Sequence, residues 1–223
     1  MAKKILKILL GLVLIPFCIG YTWELASEIT TLRYKAGLPY YFLAGCLCYL
    51  TMHILFRKPI FTYVVAHELT HALFAILSGG SVKSFQASDR GGRVTVTKSN
   101  FMITLAPYFF PLYTFILILF WWIAVASGAR PAVTITLVVL SGAAFAFHLM
   151  LTFIFLQTDQ NDIREEGAVF SYPLIYLFNI AFTGLLMRIY LTEDMDYLRF
   201  LARGIIKSIG LLSRLVAQVY ALF

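Results

Sequence analysis

Apolar residues are concentrated in six long runs, and short polar connections separate one run from the next. The runs cover residues 8–23, 38–56, 60–78, 101–126, 132–156 and 168–187. Each run is close to the roughly 20 residues that an α-helix needs to cross the hydrocarbon core of a bilayer. Lys3, Lys4 and Lys7 precede the first run as in a signal peptide, but Glu24 follows it where a small-residue cleavage site would lie, so we expect an uncleaved span. The pattern predicts an all-α polytopic membrane protein with about six transmembrane helices.

Two features interrupt this helical pattern. Polar and β-branched residues alternate on both sides of the turn signal Asp89-Arg90-Gly91-Gly92, which predicts a short β-hairpin at about residues 81–99, after the third run. The fourth run contains Pro107 and Pro111, four residues apart. Proline removes a backbone donor and clashes with the preceding turn, so the first turns of this span should kink or open.

The C-terminal residues have a different pattern from the six runs. Four basic residues fall within about 80° of one another on a helical projection: Arg199, Arg203, Lys207 and Arg214. A basic stripe beside an apolar face is typical of a helix that lies in the membrane surface. We therefore divide the chain into a transmembrane domain, residues 1–191, and an amphipathic basic C-terminal helix at the membrane surface, residues 192–223.

The composition supports a location in lipid. The chain of 223 residues is 61% hydrophobic and 13% charged, whereas soluble domains are about half apolar and a quarter charged. The net charge of +7 needs no nucleic acid, because Lys and Arg near span ends and on the surface helix account for it. We expect an integral multi-pass protein of the bacterial cytoplasmic membrane, surrounded by the lipid bilayer and without a nucleic-acid partner.

The third run contains the segment His67-Glu68-Leu69-Thr70-His71. Two imidazoles four residues apart lie on one face of a helix, where both can reach one zinc ion. The glutamate between them lies close to the same ion, where it can accept a proton from a bound water. Glu68 is the one charged residue in 60–78, and a carboxylate there costs about 2.5–3.5 kcal/mol on insertion scales. The segment predicts His67 and His71 as Zn²⁺ ligands and Glu68 as the catalytic base.

A zinc site of this kind needs a third protein ligand and an open position for water. His148 in the fifth run, and Asp159 and Asp162 in the polar stretch after it, are the candidates. On one straight helix His148 and Asp162 would lie about 21 Å apart, so both cannot reach one ion unless the chain bends. The polar stretch is a suitable place for such a bend. We interpret His53, in the second run, as a packed core residue.

These features together resemble the site-2 protease family of intramembrane zinc metalloproteases. The matching parts are the His67–His71 segment, Gly79-Gly80, the hairpin with Gly91-Gly92, Leu105-Ala106-Pro107 and an aspartate after a later span, and they cover roughly residues 60–180. The resemblance is to a small, divergent branch of that family, and we find no PDZ domain in the chain. It implies that the hairpin lies next to the active site and that the third ligand is an aspartate.

The choice of aspartate depends on that resemblance. The Leu-Asp-Gly sequence usual in the family is absent here. Gln160-Asn161-Asp162-Ile163 is similar to the Gln-x-Asp-Ile pattern of the divergent branch, which favours Asp162 and leaves Asp159 and His148 as alternatives.

The resemblance implies that residues 1–191 form a metalloprotease domain, a zinc metalloendopeptidase. It would hydrolyse peptide bonds of a membrane-embedded protein or peptide with zinc-activated water; its substrate-binding residues are unknown. Two other functions remain open. A catalytically inactive metal-binding membrane scaffold would keep both histidines without needing Glu68. A zinc transporter would need more ligands along a path through the bilayer, for which only His53 and His148 are available.

Overall fold

Helices account for most of the chain, with one pair of strands between them. The computed structural model describes residues 2–31, 33, 37–56 and 58–221, so the last two residues of the predicted C-terminal helix, 222 and 223, lie outside the described residues. The elements are α1 (Ala2–Thr31), α2 (Leu38–Leu55), α3 (Ile60–Leu77), β1 (Val82–Ser88), β2 (Gly91–Val96), α4 (Phe101–Leu105), a 3-10 turn (Ala106–Tyr108), α5 (Leu112–Ala126), α6 (Pro131–Leu156), α7 (Asn161–Glu166), α8 (Ala168–Leu186), a π-helical turn (Met187–Leu191) and α9 (Tyr197–Tyr220).

The described helices confirm the prediction of a polytopic all-α membrane protein with about six spans. Five segments are long and apolar enough to cross a membrane on their own: α1, α2, α3, α6, and α8 together with the π-helical turn. A sixth span would consist of α4, the 3-10 turn and α5, which are bent by 78°. The bend lies between Pro107 and Pro111, as the sequence predicts, because neither proline can donate the backbone hydrogen bond that would continue the helix.

The predicted hairpin is also confirmed. Strands β1 and β2 pair antiparallel, and Asp89 and Arg90 form the tip between Ser88 and Gly91. The Ser88 hydroxyl donates to the Gly91 carbonyl at 2.8 Å, and Gly91 has a φ of 134°, a conformation that glycine adopts readily. The hairpin is joined to the end of α3 by Lys98, whose Nζ donates to the Ser78 carbonyl at 3.0 Å.

The chain forms two compact units, which we describe separately. Residues 36–162 form one unit, in which α2 packs against α6 and α3 packs against the hairpin and the 3-10 turn. Gly45 on α2 and Gly142 on α6 allow the close approach of these helices, because a Cβ atom at either position would collide with a carbonyl oxygen of the other helix. Small residues at such contacts are typical of helices that pack in membranes.

The other unit contains residues 1–35 and 163–223, and in it α1 packs against α8 and α9. Glu24 on α1 is 2% exposed, and its carboxylate lies 2.6 Å from Lys207 Nζ and 3.9 Å from Arg203 on α9. Arg203 also lies 3.6 Å from Glu28. Two of the four residues in the predicted basic stripe therefore pair with acidic residues of α1. The division at residue 191 and the membrane-surface position of 192–223 stay predictions.

Candidate functional site

Helix α3 places His67 and His71 side by side, as their spacing of four residues predicts. Their Nε2 atoms lie 3.1 Å apart. The Oδ2 atom of Asp162, 95 residues beyond His67, lies 3.2 Å from His67 Nε2 and 3.5 Å from His71 Nε2. In the described part of the chain, this is the one group of three metal-ligating side chains. Three atoms with available lone pairs thus converge on one point.

Asp162 reaches the histidines because the chain reverses after α6. That helix ends at Leu156, and the Thr158 hydroxyl donates to the Phe155 carbonyl at 2.7 Å, which closes its last turn. The Gln160 amide then donates to the Thr158 hydroxyl at 2.6 Å, and α7 begins at Asn161. Asp162 therefore lies in the first turn of a new short helix, at the bend that the polar stretch predicts.

The geometry of the three atoms fits a zinc ion. Tetrahedral ligands at about 2.0–2.1 Å from zinc lie roughly 3.3–3.4 Å from one another, and the separations here are 3.1, 3.2 and 3.5 Å. His71 Nδ1 donates to the Ile103 carbonyl at 2.8 Å, which leaves the lone pair on Nε2. A ligating histidine usually has such a partner on its other nitrogen. The roles of His67, His71 and Asp162 as ligands stay predictions.

The carboxylate of Asp162 is suited to bind a cation. Burial acts to raise the pKa of this carboxyl, but the protons that His67 and His71 can share with it outweigh burial and hold that pKa below its ordinary value. A metal ion at this point would take the place of those shared protons. Asp162 is therefore ionised at neutral pH, which is the form in which a carboxylate binds metal.

Glu68 is buried beside the two histidines and is covered by strand β2. Glu68 is only 7% exposed. A Cβ atom at Gly92 would lie 2.5 Å from Glu68 Cγ and 2.7 Å from both Glu68 Oε1 and Val64 Cγ1. The hairpin therefore touches the predicted catalytic base directly, and its role as base stays a prediction.

The alternative ligands lie elsewhere. Neither His148 nor Asp159 belongs to the group formed by His67, His71 and Asp162 among the described residues. His148 is buried on α6 and lines a small pocket that also borders His67. His53 is half-buried, and its Nδ1 lies 3.1 Å from the Tyr49 hydroxyl on the same helix; its interpretation as a packed core residue stays a prediction.

Tyr108 lies at the site although no sequence pattern marks it. Its hydroxyl donates to Asp162 Oδ2 at 2.9 Å, and its ring lies edge-on to His67 with centroids 5.1 Å apart. The residue is fully buried, at 0% exposure. The nearest signal in the sequence is its position directly after Pro107, where the predicted opening of the span leaves a side chain free to turn toward α3.

Comparison with known proteins agrees with the motifs. The sequence profile of the family described as Peptidase M50B-like matches residues 40–158. The match includes the His67–His71 segment and the hairpin and ends before Asp162. A search of curated proteins and a search of solved structures each gave no match.

Proposed function

This chain belongs to the Peptidase M50B-like family, and from that premise we propose that it is an intramembrane zinc metalloendopeptidase. It is an integral membrane protein, and its family is one of membrane-embedded proteases. The proposal adds Zn²⁺ as the cofactor, peptide bonds of membrane-embedded proteins or peptides as the substrates, and the bacterial cytoplasmic membrane as the location.

One observation carries the proposal. The Nε2 atoms of His67 and His71 and Oδ2 of Asp162 lie 3.1–3.5 Å apart, at the separations of tetrahedral zinc ligands. These three residues would hold the ion and leave its fourth position open. When bound, zinc supplies a Lewis acid that polarises a carbonyl and lowers the pKa of a bound water to near 7.

Glu68 performs the proton transfers in this proposal. Its carboxylate accepts a proton from the attacking water and then passes a proton to the amine that leaves. Burial between α3 and β2 keeps this carboxylate in one place, because Gly92 of β2 lies directly against the Glu68 side chain. A positioned base of this kind contributes about 100- to 10,000-fold to the rate.

The substrate must present an unwound stretch, because a peptide bond inside a helix is shielded by its own turn. Strands β1 and β2 form a sheet of two strands, so each has an outer edge. An extended peptide can add to such an edge through backbone hydrogen bonds. The contact between Gly92 and Glu68 would bring a peptide bound there close to the base.

The test is Glu68→Gln, which keeps the size of the side chain and removes its basicity. Purified full-length protein would be reconstituted in liposomes with a single-span substrate that carries helix-breaking residues in its span. We expect cleavage to fall by about 100- to 10,000-fold, with one zinc per chain retained. Glu165→Gln, at an exposed position on α7, is the matched control and should cleave like the wild type.

The same experiment distinguishes the protease from an inactive scaffold, and the structure bears on the transporter. Unchanged cleavage by Glu68→Gln would remove the protease proposal, and zinc binding without any cleavage by the wild type would favour an inactive scaffold. A transporter needs ligands along a path, whereas among the described residues the His67, His71 and Asp162 group stands alone.

A further inference from the structure

The oxygen of Asp162 that faces the two histidines also accepts a hydrogen bond from Tyr108. The Tyr108 hydroxyl lies 2.9 Å from Oδ2, the same atom that lies 3.2 Å from His67 Nε2 and 3.5 Å from His71 Nε2. A carboxylate oxygen has two lone-pair positions. One of them can therefore receive the phenol while the other points to the metal position.

Tyr108 is held in place by groups other than Asp162. It ends the 3-10 turn that follows α4, where the backbone N–H groups of Phe109 and Phe110 both donate to the Ala106 carbonyl, at 3.1 and 2.8 Å. The side chain is fully buried, and its ring packs edge-on against His67. The phenol is thus a donor whose position is set by α3 and the proline-opened segment.

Asp162, in contrast, lies at the start of a helix of six residues that follows a reversal of the chain. A carboxylate there can rotate, and its two oxygens are chemically equivalent. A donor in a fixed position selects one oxygen and one orientation. Removal of a hydrogen-bond partner of a metal ligand typically weakens metal binding by about 10- to 100-fold.

We propose that Tyr108 is a positioning residue for the third metal ligand, and that its hydrogen bond presents Oδ2 of Asp162 to the ion. The proposal rests on the ligand set of the proposed function. It assigns a role to a residue that neither the metal-binding motif nor the family match identifies.

The experiment compares Tyr108→Phe with the wild type as full-length protein in detergent. The substitution keeps the ring and its contact with His67 and removes only the hydroxyl. We expect the zinc Kd, measured by competition with a chelator, to rise about 10- to 100-fold. With Co²⁺ as a spectroscopic substitute, the d–d absorption bands should shift in position or intensity. The Tm of the metal-free protein should stay within about 3 °C of the wild type.

A matched control variant separates this role from a merely structural one. Tyr113→Phe removes another phenol that donates to α3, to the Thr62 carbonyl at 3.0 Å, and should leave the zinc Kd and the Co²⁺ bands unchanged.

A double-mutant cycle completes the test. In an Asp162→Ala background, residual metal binding should be the same with Tyr or Phe at position 108, because the hydrogen bond has no acceptor there. Equal zinc Kd values and equal Co²⁺ bands for the wild type and Tyr108→Phe would overturn the positioning role of Tyr108 and leave the proposed function intact. A wild-type protein that binds neither zinc nor cobalt would instead overturn the proposed function, and the inference with it.

Discussion

Asp162 has the same metal-binding chemistry as other residues near it in the sequence. Its position in space distinguishes it from them. Asp159 is three residues away and is also a carboxylate, and His148 is a metal ligand by type. Of these three residues, Asp162 alone has a metal-ligating atom close to both His67 Nε2 and His71 Nε2, at 3.2 and 3.5 Å. The place where the chain turns after α6 therefore decides which of these residues can be the third ligand.

Single alanine substitutions at the three candidate ligands test this assignment. We expect Asp162→Ala to weaken zinc binding by more than the roughly 10- to 100-fold typical of an outer-shell residue. Asp159→Ala and His148→Ala should retain one zinc per chain. The measurement is the zinc content of each purified protein after dialysis. Loss of zinc from Asp159→Ala with retention in Asp162→Ala would contradict the assignment.

At the scale of elements, the decisive contact is the one between the hairpin and α3. Gly92 lies so close to Glu68 that a methyl group there would overlap its side chain, so the strand determines where the carboxylate can lie. Outward-facing positions of the same strand, such as Arg93, have no such constraint and are exposed. The hairpin is therefore part of the site and more than a connection between spans.

The substitution Gly92→Ala tests that contact. The added methyl group should displace the Glu68 carboxylate, and we expect cleavage to fall by at least about 10-fold, since small misplacements of a catalytic group are costly. Zinc content should stay at the wild-type level. Arg93→Ala is the matched control on the opposite face of β2. Wild-type cleavage by Gly92→Ala would show that the strand leaves the base free to move.

A second contact between elements joins α1 and α9. Glu24 is almost completely buried, and Lys207 and Arg203 supply the positive charge beside it. A carboxylate within an apolar span is costly unless it is paired. The pairing explains why α9 carries basic residues on the side that packs against α1, in addition to any role at the lipid surface.

The substitution Lys207→Ala leaves Glu24 with a more distant partner. We expect a loss of roughly 3 kcal/mol in the free energy of unfolding, the lower end of the range for breaking a buried pair, because Arg203 remains nearby. Denaturant titration of the purified protein in detergent would measure it. Arg214→Ala, at an exposed position on the same helix, should change the free energy by less than about 0.5 kcal/mol. Equal losses for both variants would contradict the pairing.

At the scale of the whole molecule, the proposed metal site should link zinc binding to stability. An ion that binds the folded chain and not the unfolded one stabilises the fold in proportion to the logarithm of its concentration over Kd. The proposed ligands come from α3 and α7, which are far apart in sequence, so unfolding would separate them. Zinc should therefore act as a cross-link within residues 36–162.

Removal of the metal with a chelator tests this linkage. With free zinc about 1,000-fold above Kd, binding contributes about 4 kcal/mol, and at 2–4 °C per kcal/mol the chelator should lower Tm by roughly 8–16 °C. His67→Ala should show a low Tm that the chelator does not lower further. An equal response of wild type and His67→Ala would place the effect of the chelator outside this site.

The sequence by itself determined the parts of this protein that depend on neighbours along the chain. Helical spans follow from runs of apolar residues, the hairpin from alternation around Asp89-Arg90-Gly91-Gly92, and the bend from Pro107 and Pro111; all three are confirmed. The pairing of His67 with His71 follows from the same local logic, because residues four apart on a helix share a face.

Only the tertiary structure decided which distant groups meet those local features. The position of Asp162 depends on the chain reversal at Thr158–Asn161, and that of Tyr108 on the direction in which the proline-opened segment turns. The burial of Glu24 against Lys207 depends on how α1 and α9 pack. The Tyr108–Asp162 and His67–Asp162 contacts join residues 54 and 95 positions apart, and Glu24 and Lys207 are still farther apart in sequence. No periodicity in the sequence predicts them, because each depends on helix packing rather than on spacing along the chain.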